Sequence, residues 1–250
     1  MIENKNLPAV ILAAGKGERL GNLTEKSPKP MVRVNGIQII DNLIQSLIDN
    51  QIERVIVVTG YLHNVLSKSL DKFRGKIDLI LVENPIYATT NNIYSLWLTR
   101  KYLKTGFYLL EADIFFEQEL MNRFVNSGLA DIMLVGKHNY NMEGTVVQLD
   151  RENKAFKMFL KKEQINDFDY TDKYKTINFY RIGSKALINF FLDQLNSHIK
   201  RKDLNSYYEI IIKEAMEKGY LFFALKSQNL KWWEIDTPKD LKYCENLFSN

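Results

Sequence analysis

The chain has 250 residues, 46% hydrophobic and 26% charged, with one cysteine, Cys244, and three scattered histidines, His63, His138 and His198. That profile excludes a disulfide framework and a structural zinc site, and no apolar run approaches the ~20 residues a membrane span needs. The 34 basic and 30 acidic residues leave a net charge of only +4, so electrostatics demand no nucleic-acid partner and a small anionic substrate suffices.

The sequence begins Met1-Ile2-Glu3-Asn4-Lys5 and passes into an apolar run without the basic and apolar regions of a secretory leader, so the chain is expected to be cytoplasmic. No Pro/Gly/Ser-rich linker divides it, and one domain over 1–250 is expected. Up to about residue 135, short β-rich runs alternate with helical periodicity, the rhythm of βαβ units. Strands are predicted at Ala9-Val10-Ile11-Leu12, Arg54 to Val58, Asp78 to Val82, Phe107 to Leu110 and Ile132 to Val135, each buried on both faces. Crossover helices are predicted where Ile39, Ile40, Leu43, Ile44, Leu47 and Ile48 recur, and where Ile93, Leu96, Trp97 and Leu103 do. Beyond Gly136 a hairpin is expected from Gly144 to Leu160, then a strand from Tyr174 to Arg181. Helices follow over Lys185 to Ile199 and Ser206 to Lys218, then strands at Leu221 to Leu225 and Trp232 to Ile235. Thr237-Pro238-Lys239-Asp240 opens a last helix with a capping threonine, proline at its first position and an early acid.

The first strand runs into Leu12-Ala13-Ala14-Gly15-Lys16-Gly17-Glu18-Arg19-Leu20-Gly21, and Ser27-Pro28-Lys29-Pro30-Met31 follows closely. Small residues there let backbone N–H groups approach a phosphate, and Lys16 and Arg19 add charge. The glycines stand one residue wider than a dinucleotide fingerprint, and no acid ends the second strand. Glu18 occupies the place where a P-loop needs lysine. An ordinary strand-to-helix turn with solvated charges is the alternative for Gly15-Lys16-Gly17 taken alone. The two segments together resemble the signature of the sugar-phosphate nucleotidyltransferase superfamily. That resemblance implies a Rossmann-like three-layer αβα fold with a mixed, mainly parallel central sheet and an antiparallel insertion. It also implies a nucleotide-binding half over 1–135 and an acceptor half over 136–250. In it Leu12, Ala13, Ala14, Gly15 and Gly17 wrap the nucleotide, and Lys29, with Arg19 and Lys16, acts on the phosphates.

Asn84 to Leu96 places Asn91, Asn92 and Ser95 where a helix begins, as caps or as anion contacts. This block resembles that of cytidylyltransferases activating phosphocholine or small phosphonates, which makes these residues contacts to nucleotide or acceptor. Asp113, in Leu109-Leu110-Glu111-Ala112-Asp113, and Asp236, in Trp233-Glu234-Ile235-Asp236, both stand at predicted strand ends. They are caps or surface acids taken singly, and by the resemblance ligands of Mg2+, a hard ion that favours carboxylate oxygen. Glu111 stands where many relatives carry another residue. Lys175 is either a solvated strand lysine or a phosphonate ligand. The run Asn205-Ser206-Tyr207-Tyr208-Glu209, with Tyr208 and Glu209 foremost, and the pair Trp232-Trp233 are expected to form an aromatic wall with one carboxylate for a cationic head group.

The resemblance therefore implies a Mg2+-dependent cytidylyltransferase that uses CTP and a phosphocholine-like or 2-aminoethylphosphonate-like acceptor; charge balance and the short apolar runs call for no nucleic acid and no membrane, and the oligomeric state stays open, a homodimer among the options. The alternatives are a sugar-1-phosphate nucleotidyltransferase using UTP or dTTP, and a catalytically dead nucleotide-binding module.

Overall fold

The computed structural model describes residues 7–165 and 167–249; residues 1–5, read above as lacking a leader, lie outside them. In chain order the elements are β1 (Ala9–Ala13), β2 (Arg33–Val34), β3 (Ile37–Gln38), α1 (Ile39–Asp49), β4 (Arg54–Thr59), α2 (His63–Leu70), β5 (Asp78–Glu83) and α3 (Asn92–Leu98). Next come β6 (Phe107–Glu111), β7 (Ile114–Phe116), α4 (Gln118–Val125), β8 (Ile132–Lys137), β9 (Val146–Leu149), β10 (Lys154–Phe159) and β11 (Lys173–Ile182). The chain ends with α5 (Lys185–Lys200), α6 (Glu209–Glu217), β12 (Phe222–Lys226), β13 (Trp232–Glu234) and α7 (Pro238–Leu247).

Side chains of a strand alternate between faces, and β1 divides its residues accordingly. Ala9, Ile11 and Ala13 pack with Leu43, Ile44 and Leu47 of α1 and Leu120 and Phe124 of α4. Val10 and Leu12 pack on the other face with Ile93 and Leu96 of α3, Phe191 of α5 and Ile211 of α6. Helices on both faces of one sheet give the three layers, and the interior strands are buried on both sides because both faces are covered.

The sheet has nine strands in the order β5-β4-β1-β6-β11-β8-β12-β10-β9. The pairs β5/β4, β4/β1, β1/β6 and β8/β12 are parallel and the others antiparallel, with β10 and β11 running against the rest. β9 also pairs with β11, so the last five strands close on themselves. The hairpin and late strands fall where the sequence places them, and Thr237 caps α7 in a reciprocal box with Asp240.

Three expectations are corrected. β5 is half-buried because it is the edge strand, with β4 alone beside it. α3 stops at Leu98, so Leu103 is buried outside it, and α6 starts at Glu209 rather than Ser206. The ribbon β2–β3 and the short elements α2, β7 and α4 have periodicities too brief to read from the sequence.

Candidate active site

The turn after β1 is shaped around one lysine. Gly17 has φ +67°, and a Cβ there would stand 2.9 Å from the Cβ of Lys29, so only glycine gives both the left-handed backbone and the close approach. Pro28 and Pro30 hold Lys29 at the first position of a short 3-10 turn. Its Nζ donates to Asp113 Oδ2 and to Asp236 Oδ1, both at 2.7 Å. The two aspartates meet because β7 and β13 pair antiparallel and Ile235 N–H donates to the Asp113 carbonyl at 2.9 Å. Arg19 Nη2 reaches Asp236 Oδ1 at 2.9 Å.

Burial of the Lys29 ammonium works against its charge, but the Asp113 and Asp236 carboxylates outweigh it and raise the pKa above the ordinary lysine value. Burial likewise pushes Asp236 up, and the Lys29 and Arg19 cations together bring it below the usual carboxylate range.

A cleft of about 310 Å³ lies over this triangle, lined by Leu12, Ala13, Ala14, Gly15, Gly17, Arg19, Lys29, Asn91, Asn92, Ser95, Asp113 and Asp236. The residues singled out in five separate segments thus share one concavity at the carboxyl ends of β1 and β6, where sites of open α/β sheets lie. Asn91 caps α3, its Oδ1 accepting from Asn92 N–H at 2.8 Å. Ser95 Oγ accepts from Asn84 Nδ2 at 3.1 Å, a buried contact that makes Asn84 a wall of the cleft. Lys16 is the exception: its side chain is half exposed, pairs with Glu18 at 3.3 Å, and is not among the residues lining the cleft. Its place on the open side of the turn aims the ammonium at solvent.

Two further cavities, about 510 and 470 Å³, adjoin the cleft, and Arg19, Glu234 and Asp236 line both. The larger is lined by Glu111, Asn178, Tyr207, Glu209 and Glu234 among others. The aromatic wall expected there is not assembled. Tyr208 is fully buried in the core, its ring edge-on to Tyr180 at 5.9 Å, because it packs under α6 rather than facing the cavity. Trp233 packs tilted against Tyr243, ring centroids 4.2 Å apart, and lines the smaller cavity instead. Glu209 lines the larger one as expected, with 8% exposure and no hydrogen-bond partner for Oε2.

Lys175 is not solvated: it is 1% exposed, donates to the Thr176 carbonyl at 2.7 Å and pairs with Glu234 at 2.9 Å. Gly144, at φ +107°, leaves room for it, since a Cβ there would meet Lys175 Cε at 2.9 Å. Burial lowers the Lys175 pKa and Glu234 more than restores it, a net rise. Burial pushes Glu111 and Glu234 above the usual carboxylate range and Glu209 up to about 7.

Oxygens of Glu111, Asp113 and Glu234 lie within 4.8 Å of one another, and Asp113 Oδ1 is buried without a hydrogen-bond partner. An all-carboxylate set with an unfilled lone pair fits a hard divalent cation. Tyr207, part of the run read as the aromatic wall, does line the larger cavity, whereas Glu111, Glu234 and Asn178 carried no site role in the sequence reading. The signal for the acids was present: Glu111-Ala-Asp113 and Glu234-Ile-Asp236 are two Glu-x-Asp pairs closing two strands, and period two aims both members one way. Asn178, at φ +59°, sits in a bulge of β11, and that bulge turns its amide to Glu111 Oε2 at 3.4 Å. A bulge leaves no mark in hydrophobic alternation.

Residues 8–129 match the family model described as nucleotidyl transferase. That match spans just under half of the chain. The chain is 28% identical over 242 residues to the CMP-5'-(3-aminopropyl)phosphonate synthase of Streptomyces rubellomurinus, 96% of this chain and 38% of that protein. It is 27% identical over 244 residues to the bifunctional protein GlmU of Methanococcus vannielii, 97% of this chain and 55% of that protein. The chain thus spans about half or less of the length of these two relatives. The choline-phosphate cytidylyltransferase of Streptococcus pneumoniae is 27% identical over 248 residues, 98% of this chain and 99% of its own. A solved structure of the CTP:phosphocholine cytidylyltransferase from that organism shares the fold, with TM-score 0.80 at 21% identity over 98% of this chain and 100% of that one. Among the described residues no helix is long and apolar enough to cross a membrane.

Proposed function

We propose that this domain transfers CMP from CTP to a small phosphonate or phosphomonoester with a cationic tail and releases pyrophosphate. The observation that carries this reading is the Lys29–Asp113–Asp236 triangle at the floor of a cleft that opens directly into a carboxylate-lined cavity. The aminopropylphosphonate named in one relative and the choline phosphate named in another are both anions with a cationic tail, which suits that pairing of floor and cavity.

An acceptor phosphate or phosphonate is already an anion at neutral pH, so its oxygen can attack the α-phosphorus without a general base. A P–O bond forms to the acceptor, the α–β bridging P–O bond breaks, and pyrophosphate leaves with the electron pair. What the chain must supply is alignment and neutralisation of charge. In this reading backbone N–H groups of the turn at residues 13–17 hold the triphosphate, and Lys29 and Arg19 face the reacting phosphate. Asn91, Asn92 and Ser95 fix the nucleoside side of the cleft, and Lys175 holds Glu234 in place. Asp113 and Asp236, with Glu111 and Glu234 beside them, would hold Mg2+, which when bound supplies positive charge to the phosphate oxygens. In this reading residues 1–135 bind the nucleotide and residues 136–250 complete the acceptor side.

The test is Mg2+-dependent pyrophosphate release with CTP, UTP, dTTP and ATP against phosphocholine, 2-aminoethylphosphonate and glucose-1-phosphate. CTP with a cationic acceptor is expected to exceed every other pair. Turnover of the sugar phosphate alone refutes the acceptor half of the reading, and no turnover with any pair refutes the transfer reaction.

A further inference from the structure

The charges around the larger cavity do not balance. Lys29 serves Asp113 and Asp236, Arg19 serves Asp236, Lys175 serves Glu234, and of the two lysines on the cavity wall Lys161 serves Glu143 and Lys162 faces Glu163. Among the described residues no cation forms an ion pair with Glu111 or Glu209, and Lys175, held by Glu234, acts on Glu209 without pairing with it. Glu111 takes amide donors, Asn92 Nδ2 at 3.2 Å and Asn178 Nδ2 at 3.4 Å. Glu209 Oε2 takes nothing, although the residue is more than nine-tenths buried and lines the cavity. A buried carboxylate oxygen with neither cation nor donor is costly to keep, and the cost is removed when a ligand brings both.

We propose that Glu209, with Glu111 beside it, receives the tail of the acceptor as a primary ammonium, and that the cavity selects against a quaternary one. The proposal rests on the reading of the site as that of a cytidylyltransferase for cationic-tailed acceptors and narrows the class of acceptor. A primary ammonium has N–H donors that carboxylate oxygens can share. A trimethylammonium has none, and proteins hold it with aromatic faces. Of the described side chains lining this cavity only Tyr207 is aromatic, and it is 59% exposed. Tyr208, the ring next in sequence, is turned into the core. At about 510 Å³ the cavity has room for either head group, so the discrimination comes from hydrogen bonding and not from size. Sites built to hydrogen-bond a substrate group reject analogues lacking it far more strongly than apolar pockets reject a change of size.

The experiment compares 2-aminoethylphosphonate with its N,N,N-trimethyl analogue in two assays, pyrophosphate release with CTP and Mg2+ and titration calorimetry of each acceptor. The wild-type chain is expected to favour the primary amine by about 100-fold or more in kcat/KM. Glu209→Gln is expected to raise the KM of the amine and shrink that ratio at least tenfold, with the KM of CTP within twofold and an unchanged circular dichroism spectrum. Equal turnover of the two acceptors by the wild-type chain overturns the proposal, as does an unchanged ratio in the variant. Should pyrophosphate be released with neither acceptor, calorimetry still decides. Binding of the amine alone upholds the ammonium site and refutes the transfer reaction, and binding of neither, or of both equally, refutes the site.

Discussion

Replacing Lys29 by methionine keeps the stem that fills the space beside Gly17 and removes the ammonium between Asp113 and Asp236. The three side chains are only 14%, 15% and 20% exposed, so two carboxylates would then face each other with little solvent to screen them. Removing one partner of a buried ion pair costs about 3–5 kcal/mol, and Arg19 still holds Asp236, so the low end applies here. For a chain of this size 1 kcal/mol shifts the melting temperature by about 2–4 °C, which gives a fall of about 6–12 °C without divalent ions. Mg2+ should restore more of that loss in Lys29→Met than it adds to the wild type, because the aspartates no longer have an internal cation to be displaced. Full occupancy at 100 times the dissociation constant contributes about 2.7 kcal/mol. The assay is thermal melting of both proteins over a Mg2+ titration, with pyrophosphate release measured in parallel and expected to fall by at least about 100-fold in the variant. A melting temperature within 2 °C of wild type, or the same Mg2+ increment in both proteins, would refute the argument that Lys29 and a divalent ion compete for one carboxylate pair.

Glu209 has a folded-state pKa of about 7 against an ordinary value of 4.5, so the folded chain holds a proton that the unfolded chain has already lost between those limits. Its contribution to stability is complete below about pH 4.5 and declines by about 1.4 kcal/mol per pH unit up to about pH 7. Denaturant titrations from pH 4.5 to 8 should show Glu209→Gln losing one proton's worth of that slope, with Lys175, Glu111 and Glu234 still facing the position; an unaltered slope excludes the carboxyl as its source. Gly17→Ala is expected to cost about 1–2 kcal/mol for its left-handed backbone and to displace Lys29, so chemical denaturation and kcat should both register it. Lys16→Ala should change pyrophosphate release by less than threefold, because its ammonium already has a solvated partner in Glu18; a loss of tenfold would return Lys16 to the phosphates.

The legible part of the site was what backbone geometry requires locally. Gly15-Lys16-Gly17 after an apolar strand, the prolines around Lys29 and the aspartates closing two strands are each constraints written over a few neighbouring residues. They meet in the structure because β1, β6 and β13 deliver their carboxyl ends to one side of the fold. What the sequence hid was orientation. Tyr207 and Tyr208 are chemically alike and adjacent, yet one stands in the cavity and the other in the core, because Tyr208 is the residue at which α6 enters the layer above the sheet. Lys16 and Lys29 were both assigned to the phosphates, and the left-handed turn at Gly17 stands between the one facing solvent and the one facing the aspartates. Edge and interior strands likewise share a composition in Asp78-Leu79-Ile80-Leu81-Val82, so the half-exposure of β5 follows from its place in the sheet order and not from its residues.

Burial of charge on this scale separates the site from a structural salt-bridge network. A network kept for stability pairs each ion, since an unpaired one is worth removing for an apolar side chain of similar volume. Here Asp113 Oδ1 and Glu209 Oε2 remain without partners in two adjoining concavities, one over the reacting centre and one beside it. The cations that would complete them differ in kind: the first lies within an all-oxygen cluster suited to a metal ion, and the second beside amide donors and a single exposed ring. On the proposed reading, filling both at once would bring positive charge to the phosphates and to the far end of the acceptor together, and would fix the acceptor's anionic head at the boundary between the cavities. That boundary is where Asp236 and Arg19 stand, lining all three.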